Sequence, residues 1–198
     1  MKTQFDNTAP IPSLFSGYEE NTVQPTIKEL VAWAFENDAQ HASRHEAAHV
    51  VAALQTGVPV VAARIFPTFG ELYNFNTVVG DAIAYGKKSA EQSAIIGFAG
   101  LAAEMLYRDN NVEAKEFMDH IKLYPNHLSL TDWRLVERIS VSRRWSASKK
   151  CLNILTVNWD KVELVARLLR EQLYKNPKRG KARQGYLHFV GVEVPRLT

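Results

Sequence analysis

Apolar and polar positions fall in blocks along the chain, and each block predicts an element. Ile27, Leu30, Val31, Ala34 and Phe35 recur at i, i+3, i+4, i+7 and i+8, one apolar stripe of a helix beginning after Thr26. The polar trio Glu36-Asn37-Asp38 is expected to end it. A second helix is expected over about residues 39–56, with Gly57 as its stop and Pro59 just beyond. The short Val- and Ile-rich run 58–66 predicts a strand. Val78, Val79, Ile83 and Tyr85 around Gly80-Asp81 predict strand or hairpin over 76–85.

Ser89-Ala90-Glu91-Gln92 is a capping box, in which the serine hydroxyl and the glutamine side chain satisfy orphan helix amides. The helix it opens, to about Tyr107, is apolar nearly all round, with Ile95, Ile96, Phe98, Leu101, Met105 and Leu106, so it is expected at the centre. A further helix is expected over 112–124, broken by Pro125-Asn126. Ser129 or Thr131 can cap the next, which carries Trp133, Val136 and Ile139. Two more are expected at about 146–157 and 159–174, and residues 186–194 predict a terminal strand or arm. The expected fold class is mainly α with a small β-sheet (α+β). One domain is expected over 26–175, between an irregular, proline-bearing arm at 1–25 and a basic C-terminal extension at 176–198.

Composition narrows the function classes. With 198 residues, 46% hydrophobic and 23% charged, the chain has the make-up of a globular protein with a sizeable core. The single cysteine, Cys151, excludes a disulfide scaffold and a thiolate-rich metal site within the chain. Its neighbours Lys149 and Lys150 would lower the thiol pKa, but no partner for nucleophilic catalysis is recognisable. No apolar run approaches a membrane span, and the first residues lack the apolar stretch of a signal peptide, so a cytoplasmic protein is expected.

The net charge of +3 hides a split. Residues 1–132 carry 9 Lys and Arg against 16 Asp and Glu, a net of −7. Residues 133–198 carry 15 against 5, a net of +10. The densest basic run is Lys175, Lys178, Arg179, Lys181 and Arg183, which reads first as a solvated tail. No aromatic residues interleave it as in a nucleic-acid-binding tract.

Chemistry concentrates at His45-Glu46-Ala47-Ala48-His49, an H-E-x-x-H motif in a helical segment. Residues four apart on an α-helix share a face, so both imidazoles can reach one Zn²⁺. Glu46 is placed to act on water as general base. With 6 His and 14 Glu, chance alone supplies such a motif in about one chain in a hundred. The bland alternative is two histidines on a partly buried helix face, bonded to other polar groups. A catalytic zinc needs a third protein ligand. Long-spacer zincins place a third histidine six residues after the second, and Gln55 stands there, which excludes that class. Two carboxylates remain. Glu104 lies in an apolar helix, where a carboxylate is costly unless paired or metal-bound, so it is either a ligand or an acceptor for a ligand histidine. Asp132 is either a ligand or a first-turn residue favoured by the helix dipole.

Three segments in order resemble the peptidase domain of the FtsH-type ATP-dependent zinc metalloproteases. They are His45-Glu46-Ala47-Ala48-His49 with its apolar continuation Val50–Leu54, Gly100-Leu101-Ala102-Ala103-Glu104, and Ser129-Leu130-Thr131-Asp132-Trp133. Residues 159–172 resemble that family's late helix, so the likeness spans about 39–175. It implies zinc as cofactor, His45, His49 and Asp132 as its ligands, Glu46 as catalytic base, and a supporting role for Glu104. It also implies a mainly helical fold with a short sheet whose edge aligns an extended substrate. Ala48 stands in place of the family's glycine and Leu101 in place of its arginine.

No G-x-x-x-x-G-K-[ST] loop occurs, so a stand-alone zinc metalloendopeptidase is expected, acting on peptide or unfolded protein without ATP, or beside a separate ATPase partner. A homo-oligomer is a further possible assembly, and Tyr85 and His127 are weakly supported oxyanion donors. The alternative is a catalytically silent descendant that binds an acidic protein or nucleic acid through its basic C-terminal third.

Overall fold

The computed structural model describes residues 26–67, 78–84, 86–175 and 185–188. They form helices α1 (Ile27–Gln55), α2 (Ala90–Arg108), α3 (Ala114–Leu123), α4 (Leu130–Val136), α5 (Val141–Val157) and α6 (Trp159–Lys175). Strands β1 (Val60–Pro67), β2 (Val78–Ala84) and β3 (Gly185–His188) make one antiparallel sheet in the order β2-β1-β3. The protein is thus mainly helical with a small sheet, the coarse architecture that periodicity predicts. Among the described residues no helix is long and apolar enough to cross a membrane.

Helix α1 differs from expectation. It opens on a Thr26–Glu29 capping box and runs unbroken through Glu36-Asn37-Asp38. The trio contains no glycine or proline, so nothing in the backbone interrupts the ladder. Its polar groups are absorbed by the helix itself and by a neighbour: Gln40 Nε2 donates to Glu36 Oε1 (3.3 Å), and the Tyr174 hydroxyl of α6 donates to the other Glu36 oxygen. The fully buried Ala39 follows at once, which carries the packed face onward. A polar exposed stretch is a helix surface here, not a helix end.

The expected stop at Gly57 is present and has a clear geometry. Gly57 has φ +77°, its N–H donates to the Leu54 carbonyl (3.0 Å), and the Val58 N–H donates to the Ala53 carbonyl (2.8 Å). This Schellman arrangement satisfies the last carbonyls of α1 and turns the chain into β1. β1 pairs with β2 from Val60↔Ala84 to Pro67↔Val78, with an irregularity between Val60 and Ala62. Gly80 sits inside β2, opposite Ile65, and not at a turn.

Helix α2 begins at the expected capping box, Ser89 with Gln92. It is buried from Ser93 to Ala103 and lies at the centre, packed against α1, α4 and α5. Ser129, and not Thr131, caps α4. That helix ends at Val136, so Ile139 is buried in the turn that follows, and α5 starts at Val141, five residues before the expected 146. Ser140 ends the turn and supplies the extended N-cap backbone that lets α5 begin early.

One apolar cluster joins α1, β1, β2, α2, α3, α4, α5 and α6, with Phe98, Phe117, Ile65, Leu155 and Leu169 among its fully buried members. Cys151 belongs to it. Burial drives its thiol pKa up, opposite to the lowering expected from Lys149 and Lys150, both of which are exposed. The expected arm 1–25 and the basic residues Lys178, Arg179, Lys181 and Arg183 lie outside the described residues. Within the expected C-terminal extension, β3 pairs with β1 from Ala62↔His188 to Ile65↔Gly185, so residues 185–188 belong to the sheet.

The Gly57 geometry sets a test. A Cβ at Gly57 meets no atom within 4 Å, so Gly57→Ala adds backbone strain without a clash. The variant is expected to lose about 1 kcal/mol of stability, read as a lower midpoint in urea unfolding with an unchanged slope.

Candidate metal centre

The H-E-x-x-H segment lies in the second half of α1, and its neighbours decide where each side chain points. His45 and His49 sit one turn apart, with ring centroids 4.9 Å apart and planes at 67°. Helix α2 runs beside them and presents Ile96, Gly100 and Glu104, a row of positions four apart. The Nδ1 of His49 lies 2.7 Å from the Ile96 carbonyl, which can only accept, so Nδ1 carries the proton. The Nδ1 of His45 lies 2.8 Å from Glu104 Oε1 and donates to that carboxylate. A Cβ at Gly100 would overlap the His45 ring, so only glycine allows this approach.

With each Nδ1 fixed on its own acceptor, both Nε2 atoms turn to Asp132. The His45 Nε2 is 3.7 Å from Asp132 Oδ2, and the His49 Nε2 is 3.5 Å from Asp132 Oδ1. Three donor atoms from His45, His49 and Asp132 lie within 4.8 Å of one another. Tetrahedral ligands at zinc bond lengths are separated by about 3.4 Å. The three residues are therefore placed to hold a metal ion.

Asp132 comes from α4, 83 positions after His49 in the chain. Its backbone N–H donates to Ser129 Oγ (3.1 Å), and that hydroxyl donates to Asp132 Oδ2 (2.7 Å). The helix cap thus also aims the carboxylate. Gly97 of α2 lets α4 close in: a Cβ there would stand 2.8 Å from the Asp132 carbonyl oxygen and 2.9 Å from Leu135 Cβ.

Glu46 is buried beside the histidines, under β2. Gly80 makes that possible, since a Cβ at this position would overlap the glutamate stem. Burial, with the charges of Asp132 and Asp81 added and that of His45 opposing, pushes the Glu46 carboxyl up to about 7. Burial also works against ionisation of the others, but their contacts decide the outcome. Burial opposes it, but the Asp132 and Glu104 carboxylates on either side of the ring raise the His45 pKa well above its ordinary value. Burial keeps that of His49 low. The imidazole contacts hold Asp132 and Glu104 below the usual carboxylate range. Three carboxyl groups around two imidazoles make an environment that favours a cation.

The cluster opens on a cavity of about 970 Å³ walled by α1, β2, α2 and α4. Exposure is greatest at His45, whose side chain is 20% accessible against 10% for His49 and 9% for Asp132. The open side therefore lies by His45. Asp81 on the β2 wall is held by Arg64, whose Nη2 is 2.6 Å from Oδ2.

All four residues singled out for catalysis and metal binding, together with Glu104, come into one place, and Glu104 contacts His45 as an orienting acceptor. His41 lines the cavity but stands edge-on to Tyr107 and outside the ligand cluster. His127 also lines the cavity, and Tyr85 lies outside the described residues. Sequence reasoning missed the three glycines Gly80, Gly97 and Gly100. Their signal was legible: glycines inside a strand and inside an apolar helix mark close approach by another group. The Ile96 carbonyl left no signal, because any residue supplies one.

No protein-family model and no curated protein matches the chain.

The orienting contact can be tested apart from any activity. Glu104→Gln keeps the size of the side chain but removes its charge, and is expected to weaken metal binding 10- to 100-fold, about the usual effect of an outer partner of a ligand histidine. Competition with a chromogenic chelator measures it, with circular dichroism to confirm an unchanged fold.

Proposed function

We propose that this chain is a zinc-dependent peptidase of the kind its motifs resemble, the FtsH-type peptidase domain. The observation that carries the reading is the convergence of the two Nε2 atoms and the Asp132 carboxylate beside buried Glu46, at the wall of a cavity edged by a strand. The donor set, two imidazoles and one carboxylate with their ligand atoms within 4.8 Å of one another, suits zinc with one position left for water or substrate. When bound, zinc supplies Lewis-acid chemistry, polarising a carbonyl and making water more acidic.

The chain's own residues do the rest. Glu104 and the Ile96 carbonyl hold the His45 and His49 rings at Nδ1, so each Nε2 already points to the side where the metal would sit. Glu46 accepts a proton from the attacking water at its carboxylate and returns it to the departing amine. Burial alone holds that carboxyl near 7, and beside a bound dication its ionised form, the form that accepts the proton, would be favoured. Water is limited around Glu46 by the close cover of β2.

Among the described residues β2 stands at the edge of the sheet, with β1 on one side only. Its residues Gly80, Asp81, Ala82 and Ala84 line the cavity. An extended peptide can add to that edge through main-chain hydrogen bonds and so pass the metal centre. The substrate class is therefore a flexible or unfolded peptide segment, since a folded surface cannot present a free strand.

The test joins metal content to cleavage. Purified protein is expected to hold one equivalent of zinc and to cleave casein. Glu46→Gln is expected to keep the zinc and lose cleavage by about 10²- to 10⁴-fold. His45→Ala and Asp132→Ala are expected to lose the zinc as well. Full zinc with cleavage equal in wild type and Glu46→Gln, or absent from both, would overturn the peptidase reading. Failure to bind any divalent metal would overturn the metal centre itself.

A further inference from the structure

A second group of metal-ligating side chains lies outside the centre just described. His120, in the last turn of α3, and His127, in the 3-10 turn Pro125–His127, come together across seven residues of chain. Their Nε2 and Nδ1 atoms are 3.0 Å apart, with ring centroids 5.0 Å apart. We infer that His120 and His127 form a second divalent-cation site, of the imidazole-preferring class Zn²⁺, Ni²⁺ and Cu²⁺, beside the cavity.

The argument begins with what holds two imidazoles nitrogen to nitrogen. In the neutral pair one ring donates its N–H to the bare nitrogen of the other, and a single proton lies on the line between them. A dication can take that proton's place. Two imidazole nitrogens at zinc bond lengths stand about 3.3 Å apart, a few tenths of an ångström beyond the separation here. The rings therefore need a small outward shift and a rotation that aims both nitrogens at a common point beside the line between them.

The pair is also braced. The Tyr124 ring stacks on His127 at 5.2 Å and 22°, and its centroid is 5.1 Å from that of His120. The turn itself is tied: the His127 N–H donates to the Tyr124 carbonyl (3.0 Å), and the Trp133 indole donates to the Pro125 carbonyl (2.9 Å). Pro125 fixes one backbone torsion in the same turn. Such bracing lowers the ordering cost of binding.

Charge is compatible. Burial, then the neighbouring His127 and Arg108, disfavour protonation of His120, so a bare ring nitrogen is available at neutral pH, while Glu104 and Glu116 supply negative potential. With two protein ligands, solvent completes the coordination, and the site is expected to be weaker than the centre built on His45, His49 and Asp132. His127 lines the main cavity and His120 a separate recess with Glu116 and Tyr124, so the cation would sit between the two.

Titration of the full chain with Zn²⁺ or Ni²⁺ tests this, read as equivalents by calorimetry and by elemental analysis after dialysis. Wild type is expected to bind two equivalents of unequal affinity. His120→Gln and His127→Gln, made separately, are each expected to lose the weaker one. His41→Gln is expected to lose neither. The double variant His45→Ala/His49→Ala is expected to lose only the tighter one, which separates this site from the proposed catalytic centre. In that double variant, Cu²⁺ is expected to give an electron paramagnetic resonance spectrum with coupling to two nitrogens, absent once His120→Gln is added. Binding that neither glutamine variant reduces, in wild type or in the His45→Ala/His49→Ala background, would overturn the assignment. Circular dichroism on each variant confirms the fold, and the two glutamine variants give independent readings.

Discussion

The site depends on how closely α2 can lie against α1. Ile96, Gly100 and Glu104 repeat every four residues and so form one ridge of α2. His49 meets the ridge at Ile96, and His45 meets it at Gly100 and Glu104. As the chain ascends one helix the contacts descend the other, so the two run antiparallel here. A side chain at Gly100 would push the His45 ring away and break the Glu104 contact with it. One position further round the same helix, Gly97 admits the backbone of α4 and with it Asp132. The central helix thus positions His45, His49 and Asp132 through two glycines, one carbonyl and the Glu104 carboxylate.

Electrostatics then follow from packing. Bringing Glu46, Glu104 and Asp132 to two imidazoles in a confined space raises the cost of every unpaired charge. Glu104 and Asp132 escape that cost by contacting imidazole nitrogens, and they stay ionised. Glu46 has no such direct contact among the described residues, and its affinity for a proton rises to the neutral range. Carboxyl groups within one small region thus take different roles because their neighbours differ, not because their chemistry does. A bound dication would complete the balance that the imidazoles begin.

Much of this was legible in the sequence, and the reasons differ from element to element. The α2 cap was readable because Ser89 and Gln92 sit at the spacing that closes two local hydrogen bonds. The stop at Gly57 was readable because only glycine takes its φ without strain. His45, Glu46 and His49 were readable because their spacing is helical. Asp132 was harder. Its partners come from a distant part of the chain, and as a first-turn residue of a helix it had a local explanation that was also true, since Ser129 does cap that turn. The break expected at Glu36–Asp38 failed because polarity was taken for a backbone signal. Gly80 lies in a strand, as its neighbours predict, and its further use is tertiary, making room for Glu46.

The face of α1 adjoining the metal residues explains why that helix lacks a simple apolar stripe. Ser43 and Arg44 are buried there, next in sequence to His45. Arg170 of α6 donates to Ser43 Oγ (2.6 Å), Arg44 Nε is 2.6 Å from Glu163 of α6, and the Arg44 guanidinium lies 3.8 Å from the Tyr107 ring centre on α2. Successive helical residues are about 100° apart. A rotation of α1 large enough to misdirect His45 would therefore also pull Arg44 from its carboxylate and leave a buried guanidinium uncompensated, a costly outcome. The polar seam to α6 and the histidine contacts to α2 fix the same angle from two directions. The buried polar residues that blur the helix pattern are thus the ones that hold the metal-facing nitrogens in register.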